Sequence, residues 1–436
     1  MSYKYKDSNI PWAKTIPSDW EIIRGKNLLR LMNRPVRETD DVVTCFRDGE
    51  VVLRSERRTE GFTMSDKEIG YQGINKGDIV IHGMDGFAGS MGVSKSTGKG
   101  SPVLVVCNPK ENDDSRYIVY YLRALAINNV FLALATGIRE RSCDLRWNKI
   151  SELPFIRPKA YEQKRIADFI DEKIKEIDGL ITLHEQMIAK LTDYKQSVIT
   201  EAVTKGLNPD VQLVPSGIEW IGDIPEKWRL AKMEYICSVI TDFVASGSFE
   251  SLRINVPYID SPDYAMLVRT ADLSGSAKSD KRVYISKHSY DFLKNSNLFG
   301  GEIVLPNIGA SVGDVYLVPE SLYNKMSLGP NSIMLKTKYF DKFFYYYFLG
   351  EPGRRSVINM CQATAQPKFN KTQLRGLQVV LPSLEEQQKI SEFLDTKCSE
   401  VDRLIETKRH KIESLKEYKK SVIYEAVTGK IDLRDN

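Results

Sequence analysis

The residues that could carry out chemistry do not assemble into a known catalytic pattern. Asn108-Pro109 and Asn208-Pro209 come nearest to the Asn-Pro-Pro-aromatic run of an amino-methylating site, and both lack the second proline and the aromatic ring. Gly98-Lys99-Gly100-Ser101 places its lysine in the wrong order for a phosphate-cradling loop. Pro262-Asp263 has no acid and lysine following at nuclease spacing, and Asp280-Lys281-Arg282 comes closest but ends in arginine. H-E-x-x-H and G-x-S-x-G runs are absent. Six cysteines and four histidines are dispersed without a C-x-x-C pair, which argues against a disulfide framework and a zinc site and fits a reducing cytoplasm. The spacing therefore predicts a non-catalytic chain with no metal or cofactor of its own.

The rest of the sequence must then explain what its elements position. At 436 residues, with 42% hydrophobic and 28% charged residues, the chain has the balance of a folded protein of about three domains. No apolar run approaches the roughly 18–20 residues of a membrane span. The polar N-terminus, Met1 to Asp7, predicts a chain that is not exported. A net charge of +4 is weak support for a nucleic-acid partner.

The informative feature is internal repetition. Residues 158–204 align with 382–428 at a constant offset of 224, with 22 of 47 positions identical. Glu162-Gln163 returns as Glu386-Gln387, and Glu201-Ala202-Val203-Thr204 returns as Glu425-Ala426-Val427-Thr428. A second block repeats at offset 208: Ser8, Ile10, Trp12, Ile16-Pro17 and Trp20 become Ser216, Ile218, Trp220, Ile224-Pro225 and Trp228. Between them, 21–150 and 229–374 share little beyond Gly77-Asp78-Ile79-Val80 against Gly301-Glu302-Ile303-Val304 and Gly89 against Gly313. These variable stretches read as α/β, with short β-rich runs, glycine turns and one apolar helix each, near 117–127 and 341–350.

From Glu162 to Gly206 the pattern is helical. Ile174, Ile177, Ile181, Ile188, Leu191 and Val198 follow three–four spacing, with His184 and Lys195 in the same stripe. The second copy has Cys398, Val401, Ile405, Ile412, Leu415 and Val422, interrupted by Lys408 and Lys419. Two stripes of matched length predict that the helices pair. Chain connectivity predicts that they do so antiparallel, as an intramolecular coiled coil with a pseudo-two-fold axis. The predicted divisions are a first domain over 1–157, a helix over 158–206, a second domain over 207–381 and a second helix over 382–436.

The I-P-x-x-W motif, the Thr364-Ala365-Gln366 segment leading into Leu381-Pro382, the E-Q-x-x-I-x-x-F-[IL]-D run and the Y-K-x-S-V-I-x-E-A-V-T helix end resemble the DNA specificity subunits of type I restriction–modification systems. The likeness covers nearly the whole chain. It departs where Thr136-Gly137-Ile138-Arg139-Glu140-Arg141 in the first half faces Gln362-Ala363-Thr364-Ala365-Gln366 in the second. The resemblance implies two target-recognition domains reading a bipartite, asymmetric target in double-stranded DNA. It also implies paired helices that fix the gap and dock two methylation subunits, with restriction subunits joining the core. S-adenosylmethionine, ATP and Mg would then belong to the partners, in the cytoplasm. A coiled-coil assembly scaffold, or a specificity subunit of another restriction class, is the alternative.

DNA reading needs arginine and lysine on phosphates, and arginine, lysine, asparagine or glutamine on base edges. Residues 20–150 hold 20 basic against 17 acidic residues and 228–374 hold 17 against 13, whereas 162–206 hold 7 against 9. The candidate contacts in the first domain are Arg54, Arg57, Arg58 and Thr59; Lys95, Ser96 and Lys99; and Arg139, Arg141 and Arg146. In the second they are Lys278, Lys281 and Arg282; Asn307 and Ser311; and Gln362, Gln366 and Lys368. All are expected in loops.

Overall fold

The computed structural model describes residues 3–57, 69–133, 145–275, 281–361 and 366–434. It divides into two compact units, one of residues 1–185 with 409–436 and one of 186–408. The division cuts through two long helices, Ala160–Lys205 of 46 residues and Leu384–Val427 of 44. Each unit therefore contains the start of one long helix and the end of the other.

The helices begin and end for local reasons. Before the second, the Ser383 hydroxyl and backbone N–H both donate to Glu386, and the Glu386 N–H donates back to Ser383 Oγ at 3.3 Å, a reciprocal capping box. Before the first, the Lys159 N–H donates to Glu162 Oε2 at 3.3 Å, and the helix opens at Ala160, two residues ahead of the sequence expectation. Both stop at glycines in the left-handed region, Gly206 at φ +77° and Gly429 at φ +74°.

The first unit is built on a four-stranded antiparallel sheet ordered Leu29–Leu31, Leu104–Pro109, Ile79–His82, Met91–Val93. The second repeats it as Cys237–Asp242, Ser332–Thr337, Ile303–Pro306, Tyr316–Leu317. Two ribbons recur as well: Tyr5–Asp7 with Thr15–Pro17 matches Leu213–Pro215 with Asp223–Pro225, and Glu21–Arg24 with Pro154–Arg157 matches Arg229–Lys232 with Gln378–Leu381. The expected apolar helices are Ser115–Ile127 and Asp341–Leu349. The second unit adds a four-stranded sheet of Val283–Ile285, Ala265–Val268, Met326–Leu328 and Asn297–Leu298. Where that sheet would lie, the first unit carries two short ribbons, Val43–Cys45 with Val51–Leu53 and Gln72–Ile74 with Gly98–Gly100.

The identities between the repeats are the joints of this frame. Gln163 Oε1 accepts the Asp114 N–H at 3.0 Å, capping the apolar helix of the first unit. Gln387 Oε1 accepts the Phe340 N–H at 3.3 Å and does the same in the second. Asp171 receives Arg116 at 2.6 Å and the Tyr120 hydroxyl, while its equivalent Asp395 receives Lys342 at 2.6 Å and Tyr346 at 2.7 Å. Trp20 is fully buried with Ile423, Ala426 and Val427 at the end of the second long helix. Trp228 is buried with Ile199, Ala202 and Val203 at the end of the first, and its indole donates to Glu386 at 3.1 Å.

Within each unit the two helix segments run antiparallel. In the first, Lys419 meets Asp178 at 2.8 Å; in the second, Lys195 meets Asp402 at 2.7 Å. These are one ion pair used twice, since both lysines and both aspartates are 224 residues apart. The lysines that interrupt the apolar stripe thus lie along the seam and reach a carboxylate at its edge. Among the described residues no helix is long and apolar enough to cross a membrane.

Trp20→Ala is expected to cost about 3–5 kcal/mol, because it removes a fully buried side chain at the joint between strand ribbon and helix end. Lys419→Ala is expected to cost no more than about 1 kcal/mol, because its partner is half exposed. Scanning calorimetry of the two variants checks the ranking, and a larger loss for Lys419→Ala would reverse it.

Candidate nucleic-acid interface

Each central sheet ends in a hairpin that requires glycine. Gly89, between Ile79–His82 and Met91–Val93, has φ +91°, and a Cβ there would lie 2.9 Å from the Arg47 carbonyl. Gly313, between Ile303–Pro306 and Tyr316–Leu317, has φ +100°. The faint sequence echo of Gly89 and Gly313 therefore marks the same turn in both units.

A later segment lies against each hairpin. In the second unit the Gly309 N–H donates to the Pro367 carbonyl at 3.0 Å, the Phe369 N–H donates to the Asn307 carbonyl at 3.1 Å, and Ile308 bridges Lys368. Two clusters that are far apart in sequence, Asn307 with Ser311 and Gln366 with Lys368, thus form one site, and Gln366 and Lys368 are exposed. Asn307 itself is turned inward: its Nδ2 donates to the Phe369 carbonyl at 3.1 Å and its buried Oδ1 has no protein partner. In the first unit the Leu145 N–H donates to the Gly83 carbonyl at 2.8 Å, which sets Arg146 beside that hairpin at the start of the helix Trp147–Glu152.

The remaining first-unit candidates lie around the ribbon 43–53. Arg57 stacks over the Phe46 ring at 4.3 Å and binds Asp48 and Glu50. Its hydrogen bonds hold the Asp48 carboxyl below the usual carboxylate range. Lys95 meets Glu50 from the other side at 2.8 Å. Arg54 donates to Thr44 Oγ1 at 3.4 Å, and the Ser96 carbonyl accepts the Ser94 hydroxyl at 2.7 Å. Arg47 links ribbon and hairpin by meeting Asp85 at 3.1 Å.

The structure corrects the expectation that all candidates occupy loops. Lys99 sits inside the strand Gly98–Gly100, paired to Gly73, and Arg54 opens the short helical turn Arg54–Glu56. The glycines flanking Lys99 look like turn residues, yet they permit close strand approach. A Cβ at Gly98 would fall 2.3 Å from the Asp41 carbonyl, and one at Gly100 would fall 2.5 Å from Ile74 Cδ1. In the added sheet of the second unit, the Lys281 carbonyl accepts Arg269 at 2.6 Å, and Arg282 precedes the strand Val283–Ile285. Arg58, Thr59, Arg139, Arg141, Lys278 and Gln362 lie outside the described residues.

Two cations escaped the sequence reading. Arg47 faces the first hairpin, and exposed Arg354, on the helix Glu351–Met360, packs its stem beside Gly313. The glycine echo was the only signal that could have led to them. Elsewhere the titratable groups read as structural: burial pushes the Cys45, Cys107 and Cys237 thiols up to about 12. Among the described residues no group of three or more His, Cys, Asp or Glu is placed to hold a metal.

His82 gives the first hairpin a pH response. Its Nδ1 accepts the Asp85 N–H at 3.0 Å, which requires that nitrogen to be unprotonated. Burial lowers the imidazole below its usual value, with Asp85 opposing and Arg47 assisting. A depressed value makes the anchored form fully available above about pH 6.5 and costs stability as pH falls below it. The hydrogen-exchange protection factor of Asp85 is expected to drop between pH 7 and 5 and to be low at both in His82→Phe. A constant wild-type value would contradict this anchor.

Comparison with known proteins agrees with this frame. Residues 225–417 match the family described as the type I restriction modification DNA specificity domain. The chain is 23% identical over 448 residues to the type I restriction enzyme MjaVIII specificity subunit of Methanocaldococcus jannaschii, covering 99% of this chain and 98% of that one. A chain from a structural study of complex assembly and conformational transition in a type I R-M system superposes with a TM-score of 0.71 at 13% identity, covering 95% and 99% of the two chains. The HsdS subunit of Thermoanaerobacter tengcongensis gives a TM-score of 0.54 at 15% identity, covering 95% and 98%. Residues 225–417 thus carry the type I restriction modification DNA specificity domain, and the chain is similar over its whole length to the specificity subunits of those systems.

Proposed function

We propose that this specificity subunit reads a bipartite, asymmetric DNA target, with one half-site read by residues 1–157 and the other by 207–381. One observation carries the reading: the two units repeat one frame, joint by joint, but place different chemistry on the equivalent hairpins. The first presents Arg47, Asp85 and Arg146, and the second Ser311, Gln366, Lys368 and Arg354. Like frames with unlike tips fit a split site whose halves differ. Arg54, Arg57, Lys95, Ser96 and Lys99 in the first domain, and Lys281 and Arg282 in the second, flank these hairpins as further candidate contacts. Arg57 and Lys95 would exchange Asp48 and Glu50 for phosphates, a modest cost for exposed pairs.

The helices would set the gap between half-sites and dock the partners. The repeat leaves apolar side chains exposed in equivalent places: Leu180 and Tyr418 in the first unit, Leu404 and Tyr194 in the second. Two equal faces suit two copies of one methylation subunit, with restriction subunits joining the assembly. S-adenosylmethionine, ATP and Mg would be held by those subunits, and the complex would act in the cytoplasm, where the DNA is.

Two outcomes test this. Tyr418→Ala and Tyr194→Ala are each expected to lose one methylation subunit by native mass spectrometry, and two full complements in the double variant would contradict the docking faces. Gln366→Ala with Lys368→Ala is expected to relax base preference in one half-site of the methylated motif while leaving the other half selected. Relaxation of both halves, or of neither, would count against one domain per half-site.

A further inference from the structure

The second unit has a cavity of about 440 Å³ beside the helix Phe249–Asn255. It is lined by Phe243, Phe249, Arg253, Val256, Tyr258 and Pro330, and falls within the usual size of small-ligand pockets, about 300–1,000 Å³. Its aromatic rim is unusually bare: Phe249 is 80% and Tyr258 54% exposed, on and just beyond the helix Phe249–Asn255. A phenylalanine so exposed on a seven-residue helix contributes little to folding and is available to a partner.

Three observations favour DNA as that partner. Pro330, in the cavity wall, is chain-adjacent to Asn331, whose carbonyl accepts the Asn307 N–H at 3.1 Å, so the pocket lies one residue along the chain from a backbone partner of the hairpin site. Its lining includes a cation, Arg253, and no acid. Arg269, its charge matched by Asp272 at 3.1 Å, lies near Tyr258 and donates to the Lys281 carbonyl at 2.6 Å, which brings the candidate contacts Lys281 and Arg282 near this rim. An aromatic ring flanked by cations is the arrangement that stacks on bases while holding the phosphate backbone, and exposed phenylalanines serve as wedges between base steps.

We infer that Phe249 inserts against the base stack within the half-site read by the second domain, with Tyr258 beside it and Arg253 on a neighbouring phosphate. The inference rests on the proposed reading of DNA by this domain and adds a distortion of the target to it. A wedge would select for steps that unstack easily, and so contribute specificity without hydrogen bonds to base edges.

The test uses the complete methylation complex and duplexes carrying its target, with 2-aminopurine placed at successive positions of that half-site. Wild type is expected to raise the fluorescence at one step. Phe249→Ala is expected to abolish that rise and weaken binding about 5- to 150-fold, the range for loss of one stacking ring. Arg253→Gln should weaken binding with a shallower salt dependence. If Phe249→Ala binds as tightly as wild type with the same fluorescence rise, the wedge is wrong although DNA reading stands. If wild type binds and no position brightens, the distortion is likewise refuted. Failure of wild type to prefer target over random duplex would instead remove the underlying reading.

Discussion

The structure depends on how the end of each long helix is buried. Ile199, Ala202 and Val203 end the first helix inside the core of the second unit, under Trp228. Ile423, Ala426 and Val427 end the second helix inside the core of the first, under Trp20. Neither core is complete from consecutive sequence, because each takes its last hydrophobic layer from a helix that begins in the other unit. Apolar burial of this kind contributes about 1.5–3 kcal/mol per large side chain, far more than the exposed lysine–aspartate pairs. The tryptophans therefore hold the frame, and the repeated ion pairs fix register.

That constraint explains which residues stay the same between the halves. Gln163 and Gln387 cap the domain helices; Asp171 and Asp395 tie those helices to the long ones. Glu162 accepts the Tyr3 hydroxyl at 3.4 Å, as Glu386 accepts the Trp228 indole. Each of these groups satisfies a polar partner at a crowded joint, where a substitute would leave it unpaired. Strands of the central sheet meet looser demands. Val106 and Met334, which pair with Val80 and Val304 in the two sheets, need only be apolar and extended, so the sheets share an order while sharing little sequence.

The frame was for this reason legible in the sequence, down to the three–four stripe and both apolar helices. The site was legible only in outline. Asn307 and Lys368 are brought together by backbone pairing across sixty intervening residues, which no local pattern reports. Lys99 was misplaced because glycines that admit a neighbouring strand look like glycines that make a turn. The added sheet was missed because its strands are two to four residues long, too short for periodicity to register. Basic residue counts also overstate what is available to phosphate, since Arg57 and Lys95 already share Asp48 and Glu50.

Genome-wide methylation mapping of a host carrying this chain and its methylation subunit, against a deletion of this chain alone, tests the central claim most directly. Loss of one motif made of two unlike halves at a fixed gap is the predicted result. An unchanged methylation pattern, with the complex assembled and active before the deletion, would contradict it.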